Sequence, residues 1–182
     1  MKFLHLSDLH LGKQMNDVSL LADQEAVLLG QVVPIARREN VDAVLIAGDV
    51  YQRATPQAEA VALFDRFVSE LAAMGRRVFI ISGNHDSADR IAFGSHLLAE
   101  SRVYMSPVFT GAPEPIPLTD EYGPVDIYLL PFLKPATVRH VWPEEPAEST
   151  QSYSDALGCV LRHCKRDPAH RSLLVAHQFV AG

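Results

Sequence analysis

The sequence predicts one α/β domain with a parallel sheet at its centre. Three short apolar runs, at residues 2–7, 41–47 and 77–82, have the Leu, Val and Ile content of buried strands, and segments of helical periodicity separate them. Such alternation implies parallel strands joined by helical crossovers. The chain has 182 residues, 48% of them hydrophobic, which is the length of one ordinary domain and enough for a buried core. We therefore expect residues 1–182 to form one domain.

The first helix is predicted at residues 19–38. Pro34 lies inside it and should bend it or loosen the hydrogen bond to Gly30, because proline has no backbone N–H. Its apolar residues recur on one stripe: Leu21, Leu28, Val32 and Ile35.

The second helix has start and stop signals of its own. Thr55 is a candidate N-cap, Pro56 suits the first helical position, and Gly75 is placed to end the helix. The predicted apolar face consists of Val61, Phe64, Val68 and Leu71.

The remaining half of the chain gives weaker signals. A third helix is predicted at residues 90–100 and a strand at 103–105. Residues 107–135 are rich in proline and are predicted to form turns and edge strands, with 125–130 as the best strand. The prediction ends with a surface loop at 144–152, a short helix near 154–165 and a strand at 172–177.

Composition excludes several classes of protein. The net charge of −6 rules out a basic surface over the whole chain, so any contact with DNA has to be local or assisted by metal ions. Cys159 and Cys164 lack the spacing of a zinc ribbon or a disulfide framework, which favours a reducing cytoplasm. No apolar run approaches the roughly 18–20 residues that span a bilayer, so we expect no membrane segment.

Side chains that bind metals stand where predicted strands end. Because the carboxyl ends of parallel strands share one edge of a sheet, residues distant in sequence should meet there. The candidates are Asp8 and His10 after the first strand, Asp49 after the second, Asn84 and His85 after the third, and His177 at the last.

The spacing of these residues supports one shared site. Asp8 and His10 are two residues apart, which in extended chain puts both side chains on one side. Asp49 follows Gly48, and glycine lets the backbone approach a site closely. Residues 83–86, Gly-Asn-His-Asp, place an amide oxygen, an imidazole and a carboxylate in one turn after an apolar strand.

Oxygen and nitrogen ligands of this kind suit Mn²⁺, Fe²⁺ or Zn²⁺, and a bridging carboxylate such as Asp49 would hold two ions roughly 3.5–4 Å apart. Two ions suit phosphoryl chemistry, in which we assign His85 the protonation of the departing alkoxide and Asp86 the orientation of a neighbouring group. Three cations flank the predicted crevice and are candidate phosphate contacts: Lys13, Arg53 and Arg90.

Four sequence strings resemble the calcineurin-like metallophosphoesterase superfamily, and in particular its double-strand-break repair nuclease branch. They are SDLHLGK at residues 7–13, AGDVYQRATPQAEAV at 47–61, GNHDSADRIAFGS at 83–95 and VAHQFVAG at 175–182. The resemblance implies an αββα sandwich, a homodimer, cleavage of DNA phosphodiesters, and a partner that is a long coiled-coil ATPase.

The resemblance also implies roles for single residues. Asp8, His10 and Asp49 would hold one manganese ion, and Asp49, Asn84 and His177 the other, with His85 as the catalytic histidine. The superfamily's closing Gly-His-x-His motif does not follow His177 in this sequence. We therefore expect the N-terminal part of a nuclease domain, without capping domain or partner-binding segment, and with weakened metal binding and low activity.

Three functions remain open at this point. The first is a Mn²⁺-dependent DNA nuclease subunit that acts by two-metal hydrolysis in DNA end processing, repair and recombination. The second is a phosphodiesterase or phosphatase that acts on small molecules. The third is a non-catalytic subunit that dimerises, docks an ATPase and keeps the motifs only for folding.

Overall fold

Two β-sheets face each other in the computed structural model, which describes residues 1–179. The first sheet has the strand order β1–β4–β5–β6 and is parallel throughout, as predicted. The second has the order β7–β8–β9, with β7 antiparallel and β9 parallel to β8. A small hairpin joins β2 to β3. The strands are β1 (Phe3–Leu6), β2 (Gln14–Met15), β3 (Val18–Ser19), β4 (Ala43–Ala47), β5 (Arg77–Ile81), β6 (Val103–Met105), β7 (Ile116–Asp120), β8 (Gly123–Leu130) and β9 (Arg171–Ala176).

Helices cover the outer face of each sheet. The α-helices are α1 (Leu21–Val27), α2 (Val33–Arg38), α3 (Ala58–Ala73), α4 (Ala88–Ile91), α5 (Ser95–Ala99), α6 (Pro135–Val141) and α7 (Tyr153–His163). A π-helical segment, Leu28–Val32, joins α1 to α2, and a 3₁₀ turn, Ala147–Thr150, precedes α7.

Alternate residues of the central strands pack into different hydrophobic cores. Val44 and Ile46 of β4 point into a core shared with α1, α2 and α3, whereas Ala43, Leu45 and Ala47 pack against the second sheet. A third core joins Leu130 of β8 to α6 and α7. The layers therefore run helix, sheet, sheet, helix, which confirms the expected αββα sandwich.

The first predicted helix forms with an altered hydrogen-bond pattern. Its α-helical turns are interrupted by the π-helical segment directly before Pro34, which lies in the first turn of α2. A local change of helix type is a common response to a residue that cannot donate its N–H, and it lets the chain continue without a break. The expected disturbance at Pro34 thus takes the form of a π-helical segment.

The second and third predicted helices differ from expectation. The second begins at Ala58 with Gln57 as N-cap, so Thr55 does not cap it. Val61 was predicted to lie on the apolar face but is 44% exposed, because the buried face consists of other residues. That buried face consists of Ala60, Leu63, Phe64, Phe67, Val68 and Leu71. The third is split into α4 and α5 at Gly94, whose φ of 74° is left-handed.

The hairpin of β2 and β3 and the helix α6 were not predicted. The strand β7 lies at the edge of the second sheet, in the proline-rich stretch for which turns and edge strands were predicted, and the helix α6 begins at the end of that stretch. Pro135 occupies the first turn of α6, where its missing N–H costs nothing. The proline content of this region therefore did not indicate that a helix begins at its end.

Phe79 is expected to be a major source of stability. It lies on β5 between the two sheets, is fully buried and stacks on Tyr104 with ring centroids 5.0 Å apart. We expect Phe79→Ala to lower the free energy of unfolding by about 3–5 kcal/mol, measured by denaturant titration. Phe93→Ala is the matched control, since Phe93 is 84% exposed, and it should change stability by less than about 0.5 kcal/mol. Equal effects of the two substitutions would contradict the core assignment.

In residues 1–179, no helix reaches the length and apolar character that crossing a membrane requires.

Candidate metal centre

The loops after β1 and β4 stay paired beyond the sheet. The N–H of Asp8 donates to the carbonyl of Gly48 at 3.1 Å, and the N–H of His10 donates to the carbonyl of Asp49 at 2.9 Å. A further parallel bridge joins Leu11 to Tyr51. This continued ladder brings the Asp-x-His pair beside the carboxylate that follows β4.

Three of the candidate ligands have left-handed backbone. The φ angles are 57° at Asp8, 45° at His10 and 51° at Asp49. Residues other than glycine adopt this region at a cost, and such strain persists where the surrounding structure holds it in place, often at functional sites. The extended geometry predicted for residues 8–10 is therefore incorrect, although both side chains still converge.

Asp49 lies at the centre of the group. It is 2% exposed, and its Oδ1 accepts the backbone N–H of His85 at 2.9 Å. Its Oδ2 lies 3.5 Å from Nε2 of His10 and 3.7 Å from Nε2 of His177. One carboxylate oxygen thus stands between two imidazoles that come from opposite ends of the chain.

His177 follows β9 and is oriented by the first sheet. Its Nδ1 lies 2.7 Å from the carbonyl oxygen of Ala47, so the ring donates from Nδ1 and directs Nε2 toward Asn84 Oδ1, 3.2 Å away, and toward Asp49. Ligating histidines commonly donate their other ring N–H to a backbone carbonyl in this way. Residues 180–182, the end of the VAHQFVAG string, lie outside the described residues.

His85 is held by contacts at its backbone and its ring. Its backbone N–H binds Asp49, and its Nδ1 lies 3.2 Å from the carbonyl oxygen of Gln52. Its ring meets that of His10 edge to face at 4.9 Å. With Nδ1 engaged, Nε2 is the nitrogen available for a proton transfer.

Asp86 holds two loops together. Its Oδ2 accepts the N–H groups of Val50 and Gly83, at 3.0 and 2.9 Å, and its Oδ1 accepts the N–H of Tyr51 at 2.9 Å. Burial raises the pKa of Asp86, while these three hydrogen bonds favour the charged form. The neighbouring group that Asp86 orients is therefore backbone: the turn after β4 and the turn after β5.

Two glycines allow these loops to touch. A Cβ at Gly83 would lie 2.1 Å from Oδ1 and 2.2 Å from the backbone nitrogen of Asp49. A Cβ at Gly48, whose φ is 87°, would lie 2.7 Å from Nδ1 of His177. Both positions require glycine because atoms of Asp49 or His177 already occupy the space that a side chain would need.

Gln24 of α1 was not predicted to be part of the site. Its Nε2 donates to the carbonyls of Leu9 and His10, both at 2.9 Å, and its Oε1 accepts the N–H of Gly12 at 3.1 Å. These hydrogen bonds fix the loop that carries Asp8 and His10. Nothing in the local sequence distinguishes Gln24 from a surface glutamine, since the contact depends on how α1 packs.

We expect Gln24→Ala to weaken manganese binding by about tenfold, the scale on which loss of groups that orient metal ligands acts. The physical reason is that three backbone groups of the His10 loop lose their partner. Isothermal titration with Mn²⁺ measures the effect. Gln31→Ala is the matched control, because Gln31 is exposed on the neighbouring π-helical segment. An unchanged affinity in Gln24→Ala would contradict the positioning role.

Two clefts border the group. A cleft of about 340 Å³ is lined by three predicted ligands, Asp8, Asn84 and His177. It is also lined by three residues that the sequence did not predict to be part of the site: His5, Phe132 and Gln178. A second, of about 190 Å³, is lined by Lys13 and Arg53. The structure thus brings Lys13 and Arg53 together, whereas Arg90 is exposed on α4 and does not line that cleft.

Most of the predicted site residues lie at one edge of the sheets, and we call this set the edge site: Asp8, His10, Asp49, Asn84, His85 and His177. Its ligand atoms form two groups that share Asp49, one with His10 and His85 and one with Asp8 and His177, each within 4.8 Å. His85 therefore groups with possible ligands, although the sequence assigned it to catalysis. Nδ1 of His10 is buried without a hydrogen-bond partner among the described residues.

The donor set fits divalent cations. Carboxylate and amide oxygens with imidazole nitrogens match Mn²⁺, Fe²⁺ or Zn²⁺, and no thiol is among them. Asp49 is placed to contact two ions, because its carboxylate belongs to both groups.

Comparison with known proteins agrees with this geometry. The profile of the calcineurin-like phosphoesterase family matches residues 1–178, so the chain belongs to this family, whose members are generally metal-dependent hydrolases and typically bind two metals. The chain is also 30% identical to SbcD, a component of the nuclease SbcCD, from Staphylococcus saprophyticus subsp. saprophyticus, over 185 aligned residues. That alignment covers 100% of this chain and 47% of the relative, so the chain spans about half the relative's length.

Proposed function

We propose that the chain is the N-terminal part of a Mn²⁺-dependent DNA nuclease subunit that hydrolyses phosphodiesters. The observation that carries the proposal is the position of Asp49, whose Oδ2 faces Nε2 of both His10 and His177 at 3.5 and 3.7 Å. A carboxylate between two ligand groups is the arrangement that a two-metal phosphoesterase needs. The likeness to a subunit of a nuclease supports a nucleic acid as the substrate, and we propose DNA.

The residues divide the chemistry between them. Asp8, His10 and Asp49 would hold one divalent cation, and Asp49, Asn84 and His177 the other. A bound pair of such cations lowers the pKa of a bridging water and neutralises phosphate charge. His85 would act as the general acid in its doubly protonated form, in which Nδ1–H donates to the carbonyl of Gln52 and the proton on Nε2 passes to the departing oxygen.

Charge near the site favours a phosphate backbone. Lys13 and Arg53 line one cleft next to the loop of His10, so they would contact phosphates of a bound strand. Arg90 lies apart from this cleft on α4 and would contact DNA only at a greater distance along the strand.

The proposed partners rest on the likeness to the relative. The relative is named as a component of the SbcCD nuclease, and we propose by extension an SbcC-type coiled-coil ATPase as partner and a homodimer as the assembly.

The test is a Mn²⁺-dependent cleavage assay on linear duplex and hairpin DNA. It compares residues 1–182 with a chain that continues through a Gly-His-x-His motif, for which we expect higher activity. In the longer chain, His85→Ala should lower the cleavage rate by at least about 100-fold, the lower end of what general acid catalysis contributes. His140→Ala is the control, since His140 lies in the last turn of α6 and outside the edge site.

Two outcomes would contradict the proposal. Unchanged nuclease activity in His85→Ala would end the catalytic role of that residue. Hydrolysis of a bis-aryl phosphodiester with no cleavage of DNA would indicate an enzyme for small molecules instead.

A further inference from the structure

A third group of metal-ligating side chains lies away from the edge site. In the part of the chain that the structure describes, it consists of Glu145, Cys159 and His163, whose ligand atoms lie within 4.8 Å of one another. The group sits between α7 and the segment that follows α6, on the outer side of the second sheet. The chemistry proposed for the edge site makes no use of it.

Two of the three residues lie on one face of a helix. Cys159 and His163 are four residues apart on α7, a spacing that puts their side chains one above the other. Cys159 is fully buried in the third core, whereas the side chain of His163 is 33% exposed. A capping box at Ser152 and Asp155 fixes the start of α7, so the direction of both side chains is set by the helix.

Glu145 reaches this face from the turn after α6. Its N–H donates to the carbonyl of Trp142 at 3.2 Å, and its Oε1 lies 3.4 Å from Nε2 of His163. Its other oxygen lies 3.8 Å from the guanidinium of Arg162. The carboxylate is 20% exposed, so one side of the group is open to water.

Two contacts fix the orientation of the His163 imidazole: a stacked ring and a backbone carbonyl. Its ring stacks on that of Trp142, with centroids 4.1 Å apart and planes 13° from parallel. Its Nδ1 lies 2.9 Å from the carbonyl oxygen of Cys159, so Nδ1 donates and Nε2 is left facing Glu145. The same arrangement, with one ring nitrogen on a backbone carbonyl and the other turned to a carboxylate, orients His177 in the edge site.

We propose that Glu145, Cys159 and His163 form a three-ligand Zn²⁺ site that ties α7 to the segment after α6. A thiolate, an imidazole and a carboxylate are all ligands of zinc, and tetrahedral zinc with bonds of about 2.0–2.3 Å needs neighbouring ligand atoms about 3.3–3.5 Å apart. The distance of 3.4 Å between Glu145 and His163 fits this directly. The thiol lies 4.0 Å from Nδ1 of His163, the nitrogen that donates to the carbonyl of Cys159, so the thiol has to move toward Nε2 and Glu145 for all three residues to bind one ion.

The ligand types also decide between metals. Sulfur selects zinc over manganese, whereas the oxygen and nitrogen donors of the edge site do not. Cys159 must release its proton to solvent as the zinc–sulfur bond forms, so zinc binding should weaken as the pH falls. Water from the open side would complete the coordination.

Cobalt(II) is the probe, because a thiolate ligand gives Co²⁺ a charge-transfer absorption in the near ultraviolet that ligands of the edge site do not give. We expect this absorption to reach a plateau as Co²⁺ is added, to be displaced by Zn²⁺ and to resist Mn²⁺. Cys159→Ser should abolish it. Cys164→Ser is the matched control and should keep it, since Cys164 is half-buried nearby but outside the group.

Two results of the cobalt titration would show that the proposed site does not exist. No thiolate absorption with excess Co²⁺, or its loss in Cys164→Ser and survival in Cys159→Ser, would overturn it. If Cys159→Ser does not fold, Glu145→Gln and His163→Gln decide, because both side chains are partly exposed. Each should weaken zinc binding by more than about tenfold, the lower end for loss of a group that only supports a ligand. Unchanged affinity in both would refute the site.

Discussion

Gly83→Ala is expected to abolish manganese binding at the edge site and to destabilise the fold by more than about 3 kcal/mol, the upper end of ordinary overpacking. The new Cβ would lie 2.1 Å from Oδ1 and 2.2 Å from the backbone nitrogen of Asp49. Because a backbone atom cannot rotate away, the turns after β4 and β5 must separate, which moves Asp49 away from His10 and His177. Denaturant titration and isothermal titration with Mn²⁺ measure the two effects.

Gly30→Ala is the control for this substitution. A Cβ at Gly30 meets nothing within 4 Å, and the residue lies in a helical segment, where alanine is favoured over glycine by about 0.5–1 kcal/mol. We expect a neutral or slightly stabilised protein with unchanged metal affinity. Normal manganese binding in Gly83→Ala would show that the close approach of the two turns is not needed for the site.

Asp86→Asn is expected to lower both the stability of the fold and the affinity of the edge site for manganese. The carboxylate accepts three backbone N–H groups, and an amide cannot accept all three in the same geometry because its nitrogen is a donor. At least one buried N–H therefore loses its hydrogen-bond partner, which should lower the free energy of unfolding by about 1–3 kcal/mol. The same loss loosens the turns that carry Asp49 and His85, so manganese affinity should fall by at least about tenfold.

Asp89→Asn provides the matched control, because Asp89 is exposed in the first turn of α4. Its effect should stay within about 1 kcal/mol, the scale of a charge at a helix N-terminus. If Asp86→Asn loses stability but keeps its manganese affinity, Asp86 supports the fold without positioning the site.

Much of the edge site was predictable because one topological rule applies to it. Parallel strands end at one edge of a sheet, so Asp8, Asp49 and Asn84 could be brought together from the order of strands alone. His177 joins them although it follows a strand of the second sheet, because its ring donates to Ala47 across the sandwich. Sequence patterns report where a strand ends, and this was sufficient for the residues that follow strands of the first sheet.

Other features depend on packing that no local pattern records. Gln24 contacts the loop of His10 only because α1 lies over that loop, and the left-handed backbone at Asp8 and Asp49 is imposed by the paired loops. The start of α3 is another example, since Thr55 and Pro56 fit the rules for a helix start but the chain becomes helical only at Ala58. At Gln24, Asp8 and Asp49, tertiary contacts decide a geometry that local preference does not indicate.

Anomalous diffraction from crystals soaked in excess Mn²⁺ tests most directly whether strand ends from both sheets gather ligands for a pair of ions. Two anomalous peaks should appear, one on each side of the Asp49 carboxylate and roughly 3.5–4 Å apart. Peaks elsewhere on the protein, or no peak within bonding distance of Asp49 at saturating Mn²⁺, would contradict the two-metal interpretation.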